Sequence, residues 1–230
     1  MKAVSEQCRN LSQCLLAVGL CLTVSACGGL AIGGQQAMNW YTLSDQALES
    51  PSRVTKPIVA NPTPNKPTKA GALLIGPITS NPFYDSTQLA YSRSDIARAY
   101  YQFASWTERP TKRLAVLIEQ RLTARSQFEV VASSTAGIRG DLLLNLTLDE
   151  MYHDTTASPP LARVVVRAVL VDPSQRRQLA QQRFENTSLV ANPDAVSAVR
   201  AINAATTSLL DDLSSWVEQQ SHQRPTKPSS

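Results

Sequence analysis

Three groups of residues in this 230-residue chain have types and spacings that can do chemistry. His153 stands beside Asp149, Glu150 and Asp154, a set able to hold a divalent metal through imidazole and carboxylate oxygens. Asp211 and Asp212 form a carboxylate pair of the kind used in acid–base work. Cys27 follows Val24, Ser25 and Ala26 and precedes two glycines. A structural cysteine needs a second cysteine, a metal or a buried niche, whereas this thiol has small, flexible neighbours that leave an enzyme room to reach it.

The elements that must position these groups disfavour the first two. Adjacent residues on a helix diverge, so Asp211 and Asp212 cannot flank one substrate. His153 reads as the polar end of a strand, and the other histidine past the leader, His222, falls near the carboxyl terminus, so no HExxH helix exists. There is no G-x-S-x-G elbow, S-x-x-K pair, Walker loop or G-x-G-x-x-G turn. The sequence predicts no enzyme, no metal, and no cofactor beyond a covalent lipid on Cys27.

Upstream of Cys27, Lys2 and Arg9 stand against Glu6 and are followed by an apolar run from Leu11 to Val24, interrupted by Ser12, Gln13 and Gly19. A bilayer core of about 30 Å needs roughly 20 apolar residues, so the run is a signal peptide rather than a span. Val24-Ser25-Ala26-Cys27 resembles a bacterial lipobox. That resemblance implies a diacylglycerol thioether on Cys27, cleavage before it, and fatty acylation of the freed amine, typically by palmitate. The other reading is an ordinary secretory leader with a cysteine beside it. In the lipobox reading Cys8, Cys14 and Cys21 leave with residues 1–26, and the mature chain cannot form a disulfide. Each buried methylene contributes about 0.8 kcal/mol, so two or three acyl chains hold a protein essentially permanently. By the same resemblance Gly28, in place of an inner-membrane Asp, implies the periplasmic face of the outer membrane.

Losing residues 1–26 leaves 204 residues and lowers the net charge from +4 to +3, a mild excess that is no nucleic-acid footprint. Residues 27–39 form an uncharged, Gly-rich tether. "NWYTLS" predicts a short strand. Residues 51–69 carry five prolines and four basic residues without an acid, which predicts an exposed, extended loop. "GALLIGPIT" reads as a buried strand, and "LAYSRSDIARAYYQFASW" as strand or mixed structure. Leu114, Leu117, Ile118 and Leu122 predict an amphipathic helix from Pro110 to Arg125, followed by "QFEVV" as a strand. Leu142, Leu144, Leu146 and Leu148 alternate with polar residues in a half-buried strand. Val164, Val166, Ala168 and Leu170 mark another, which the turn "DPSQRR" pairs with a polar strand over 178–189. Asn192-Pro193-Asp194 opens a long helix whose stripe Val199, Ile202, Thr206, Leu209, Leu213, Trp216 faces the sheet or a neighbouring subunit. The fold expected is α+β: a mostly antiparallel sheet packed against two main helices, one compact domain over 40–220, with a disordered tail over 221–230.

The lipobox, "NWYTLS", "FYDSTQLAYSRS" and "YYQFASWTERPTKRLAVLIEQRLTARSQFEVV", in that order, resemble the ABC-type transport auxiliary lipoproteins, the PqiC-like family. The Y-x-L strand of that family corresponds to Tyr41 and Leu43; its aromatic segment, ending in W-x-x-x-P, corresponds to Tyr91, Tyr101, Trp106 and Pro110, residues that core packing would also explain. The basic Pro-rich segment departs from the family pattern. The resemblance implies an outer-membrane lipoprotein that docks a mammalian-cell-entry (MCE)-type, periplasm-spanning partner of an ABC transporter, with lipids or other hydrophobic molecules as cargo, and that can form a homo-oligomer. The alternative is a free-standing lipoprotein that binds a hydrophobic ligand or peptidoglycan.

Overall fold

The computed structural model describes residues 37–49 and 69–223. The leader, Cys27, most of the tether and all of the 51–69 loop except Lys69 lie outside these. The chain forms β1 (Asn39–Tyr41), α1 (Gln46–Glu49), β2 (Ala70–Ile75), β3 (Thr79–Ser80), β4 (Gln88–Ser92), β5 (Arg98–Trp106), α2 (Pro110–Arg125), β6 (Phe128–Ser133), β7 (Leu142–Asp154), β8 (Leu161–Asp172), β9 (Arg177–Leu189) and α3 (Ala195–His222).

β7 is the spine of a nine-stranded mixed sheet. Along one edge it pairs antiparallel with β8 from Leu143↔Val171 to Asp154↔Leu161, and β8 pairs antiparallel with β9 over its whole length. The Asp172 carboxylate closes the β8–β9 turn by accepting hydrogen bonds from the Ser174 and Gln175 N–H groups at 2.9 and 3.1 Å. The other edge of β7 is shared in succession by three short parallel strands: β2 at Leu142–Leu144, β3 at Thr147–Leu148 and β4 at His153. β6 joins β2 in parallel, β5 joins β4 as an antiparallel hairpin, and β1 joins β5 in parallel. The expected α+β architecture holds, with the long ladders antiparallel and the parallel pairs short. Gly76 lets β2 leave β7 closely: its N–H donates to the Leu144 carbonyl at 2.9 Å, and a Cβ there would meet Asn145 Oδ1 at 2.6 Å.

α2 begins with Pro110 at a position that needs no N–H partner, and ends where Ser126 turns left-handed (φ 56°). Asp194 caps α3, accepting from the Ser197 N–H at 2.7 Å. Every residue of the predicted α3 stripe is buried, and Trp216 meets Phe184 of β9 edge-on at 5.8 Å, so the stripe faces the sheet of its own chain. Two boundaries move. β1 starts at Asn39, so the last residue assigned to the tether is already in the sheet, and α3 continues through His222, so the first two residues assigned to the tail are helical. β1 is also shorter than "NWYTLS": after Tyr41 the backbone bonds to α3 instead, where Asn203 donates to the Thr42 carbonyl and accepts from the Ser44 N–H.

Candidate functional site

The aromatic residues singled out in the sequence divide into two sets. Trp106 closes β5, is 2% exposed, and lies opposite Tyr41 of β1. Its N–H donates to the Thr87 carbonyl at 2.6 Å, and the next N–H, of Thr107, donates to the Tyr41 carbonyl at 2.8 Å. Leu43 enters the same core, and its carbonyl accepts from Arg113 Nε of α2 at 2.9 Å. Pro110, also buried, then turns the chain into that helix. Tyr41, Leu43, Trp106 and Pro110 therefore form the joint that ties the first strand to sheet and helix.

Tyr91 and Tyr101 sit at the other end of β4 and β5, where β7 ends. Their rings meet at 4.9 Å, and Tyr101 lies parallel to the His153 imidazole with its hydroxyl 2.6 Å from Nδ1. His153 is fully buried, and Nε2 has no hydrogen-bond partner among the described residues. Burial lowers the His153 pKa against the opposing pull of Asp154 and Asp194. Burial, with the Asp194 charge, pushes the Tyr101 hydroxyl up to about 12. Asp154 titrates below its ordinary value: burial opposes ionisation, but hydrogen bonds from the Thr156 hydroxyl and N–H, the Ala157 N–H and the Ser92 hydroxyl outweigh it. Beside this cluster Arg98 lies 4.2 Å over the Tyr152 ring and donates to its hydroxyl at 3.1 Å.

The other candidate groups are dispersed. Asp149 is held by Arg167 through two bonds of 2.7 and 2.8 Å, away from His153. No cluster of three metal-ligating side chains occurs among the described residues. Asp211 bonds to Arg121, while Asp212 accepts from Asn186 Nδ2 at 2.8 Å, so the pair diverges as helical geometry requires. An open cleft of about 370 Å³ lies between β9 and α3, lined mainly by polar residues such as Gln182, Arg183, Glu185 and Asp212 around Trp216.

Sequence reasoning missed Arg121. It is 3% exposed, and its guanidinium grips the buried Asp45 with bonds of 2.8 and 2.5 Å while also reaching Asp211 of α3. The signal was available: position 121 shares the apolar face of Leu114, Leu117 and Ile118, and a cation there demands an acid.

The arrangement is a packed joint and a buried polar cluster, with no helix among the described residues long and apolar enough to cross a membrane. The family model of the ABC-type transport auxiliary lipoprotein component matches residues 55–214. The chain belongs to that family. Auxiliary lipoproteins are membrane-anchored partners of ABC transport systems, which is the function this chain shares at that level. Tyr91, Tyr101, Trp106 and Pro110 lie inside the matched residues, whereas Cys27, Tyr41 and Leu43 precede them. The auxiliary lipoprotein is similar in fold to protein XCC0632 from Xanthomonas campestris, with 18% identity and a TM-score of 0.65 over 80% of this chain and 98% of that one. It is also similar to an uncharacterized protein of solved structure, with 10% identity and a TM-score of 0.59 over 79% of this chain and 99% of that one. No curated protein matches the chain.

Proposed function

We propose that this auxiliary lipoprotein is anchored by a covalent lipid on Cys27 to the periplasmic face of the outer membrane. There it docks an MCE-type partner that reaches from the inner-membrane ABC transporter, in the traffic of lipids or other hydrophobic molecules. The observation that carries this reading is family membership over 55–214 in a chain that also bears the lipobox Val24-Ser25-Ala26-Cys27. A non-enzymatic role is supported by the state of the polar groups. Tyr101 is bonded to His153 Nδ1 and Asp154 to Thr156, and the β9–α3 cleft does not gather groups of perturbed protonation around one reacting point. Confinement to the membrane plane raises the effective concentration of the anchored domain for a partner arriving from the other membrane. A homo-oligomer would match the symmetry of an oligomeric conduit.

The test is cross-linking of the anchored protein in intact cells, followed by mass spectrometry of whatever is attached. An MCE-domain protein among the products supports the proposal. Self-products, peptidoglycan or a bound lipid alone, with the transporter expressed, move the function to a free-standing binding lipoprotein.

A further inference from the structure

The tip between β4 and β5 presents Ile96 with 96% of its surface exposed, more than any other large apolar side chain among the described residues. This exposure is held in place. The Arg93 N–H donates to the Ala97 carbonyl at 2.9 Å, closing the tip. Arg98 Nη1 lies within 3.2 to 3.4 Å of the carbonyl oxygens of Ser94, Asp95 and Ala97, while its guanidinium rests on Tyr152. The Ser94 carbonyl also accepts from the Ala97 N–H at 3.3 Å, so these three acceptors of the tip, that of Asp95 included, all have a partner within the protein. Such satisfaction is what backbone needs near hydrocarbon.

The end of the sheet that carries this tip is defined by register. Tyr91 pairs with His153, Asp154 with Leu161, and Leu161 with Leu189, so the β9 terminus lies at the same end. Leu189, 65% exposed, is the second most exposed large apolar residue described. β1 runs parallel to β5 with Asn39 opposite Ala104, so Met38 lies on the side of Asn39 that points toward the Arg98 end of β5. From Ala104 back to Arg98 is about 20 Å at roughly 3.3 Å per strand residue. The chain from Cys27 to Met38 can span roughly 36 Å at most. A lipid on Cys27 can therefore lie level with the tip.

We infer that the Arg93–Ala97 tip is a membrane-contacting device, with Ile96 entering the headgroup–acyl boundary of the bilayer that holds the anchor, while Arg93 and Asp95 remain among the headgroups. This rests on the proposed lipidation of Cys27. It gives the domain a fixed orientation: two points, lipid and tip, restrict tilt where one acylated tether would leave it free.

The test uses the full, processed protein in vesicles of phosphatidylethanolamine and phosphatidylglycerol. Ile96→Cys or, at the opposite end, Gln175→Cys carries an environment-sensitive fluorophore, and the mass of the amino-terminal peptide reports the state of Cys27. The label at 96 is expected to shift to the blue and to be quenched by lipid-borne nitroxides, with the label at 175 unchanged. Because a fluorophore can itself seek lipid, a label on Ser94→Cys is compared with and without Ile96→Asp, which should abolish most of its quenching. A water-like label at 96 in protein whose Cys27 is lipidated overturns the inference and leaves the anchor standing. Equal quenching at Ser94→Cys with and without Ile96→Asp also overturns it. An unmodified Cys27 overturns both.

Discussion

At the scale of the residue, the buried His153 decides most. Its only side-chain hydrogen bond among the described residues is with Tyr101, whose hydroxyl stays protonated at any physiological pH. Tyr101→Phe leaves an imidazole nitrogen buried without a partner, a loss of about 1–3 kcal/mol that urea unfolding would register. The pH dependence follows from the lowered His153 pKa. Above the ordinary value of 6.5 both folded and unfolded chains hold a neutral imidazole. As pH falls below that value the unfolded chain takes the proton first, so stability is lost with falling pH down through the lower folded pKa. Between pH 7 and pH 5 the melting temperature should fall less steeply in His153→Gln than in the parent; parallel slopes would show that the histidine does not titrate on unfolding.

At the scale of the element, the segment after β1 is joined to both long helices through one cation. Arg121 of α2 holds Asp45 inside and Asp211 of α3 at the rim. Arg121→Ala strands the buried Asp45 carboxylate and should destabilise the domain by about 3–5 kcal/mol in urea melts. The double variant Arg121→Met with Asp45→Asn should recover much of that loss, since it removes the charge together with its partner. Trp106→Ala, which empties the core at the β1–β5–α2 joint, should cost about 3–5 kcal/mol.

At the scale of the whole molecule, the hydrophobic core among the described residues draws on residues from Leu43 to Val217, all downstream of the tether. Cys27→Ser should therefore move the protein out of the membrane fraction, as an unprocessed or soluble form, while a domain purified from either source melts at the same temperature. Retention of normal lipidated processing in that variant would show that the thiol is not the anchor.

The sequence by itself determined the elements whose pattern is local. Alternating leucines made β7, alternating valines made β8, the 172–176 turn chemistry joined β8 to β9, and the apolar stripes of α2 and α3 marked their buried faces, because side-chain period and turn chemistry act within a few residues. Only the tertiary structure decided that β2, β3 and β4 take successive stretches of one edge of β7, since such pairings depend on contacts between residues 62 to 69 positions apart and leave no local periodicity. It alone separated the aromatic residues into a core joint around Trp106 and a polar cluster around Tyr101, buried His153 at what the sequence marked as the polar end of a strand, and set Ile96 at a braced tip. Burial and partnership are properties of position in three dimensions, and the same tyrosine or isoleucine reads alike in sequence wherever the fold sends it.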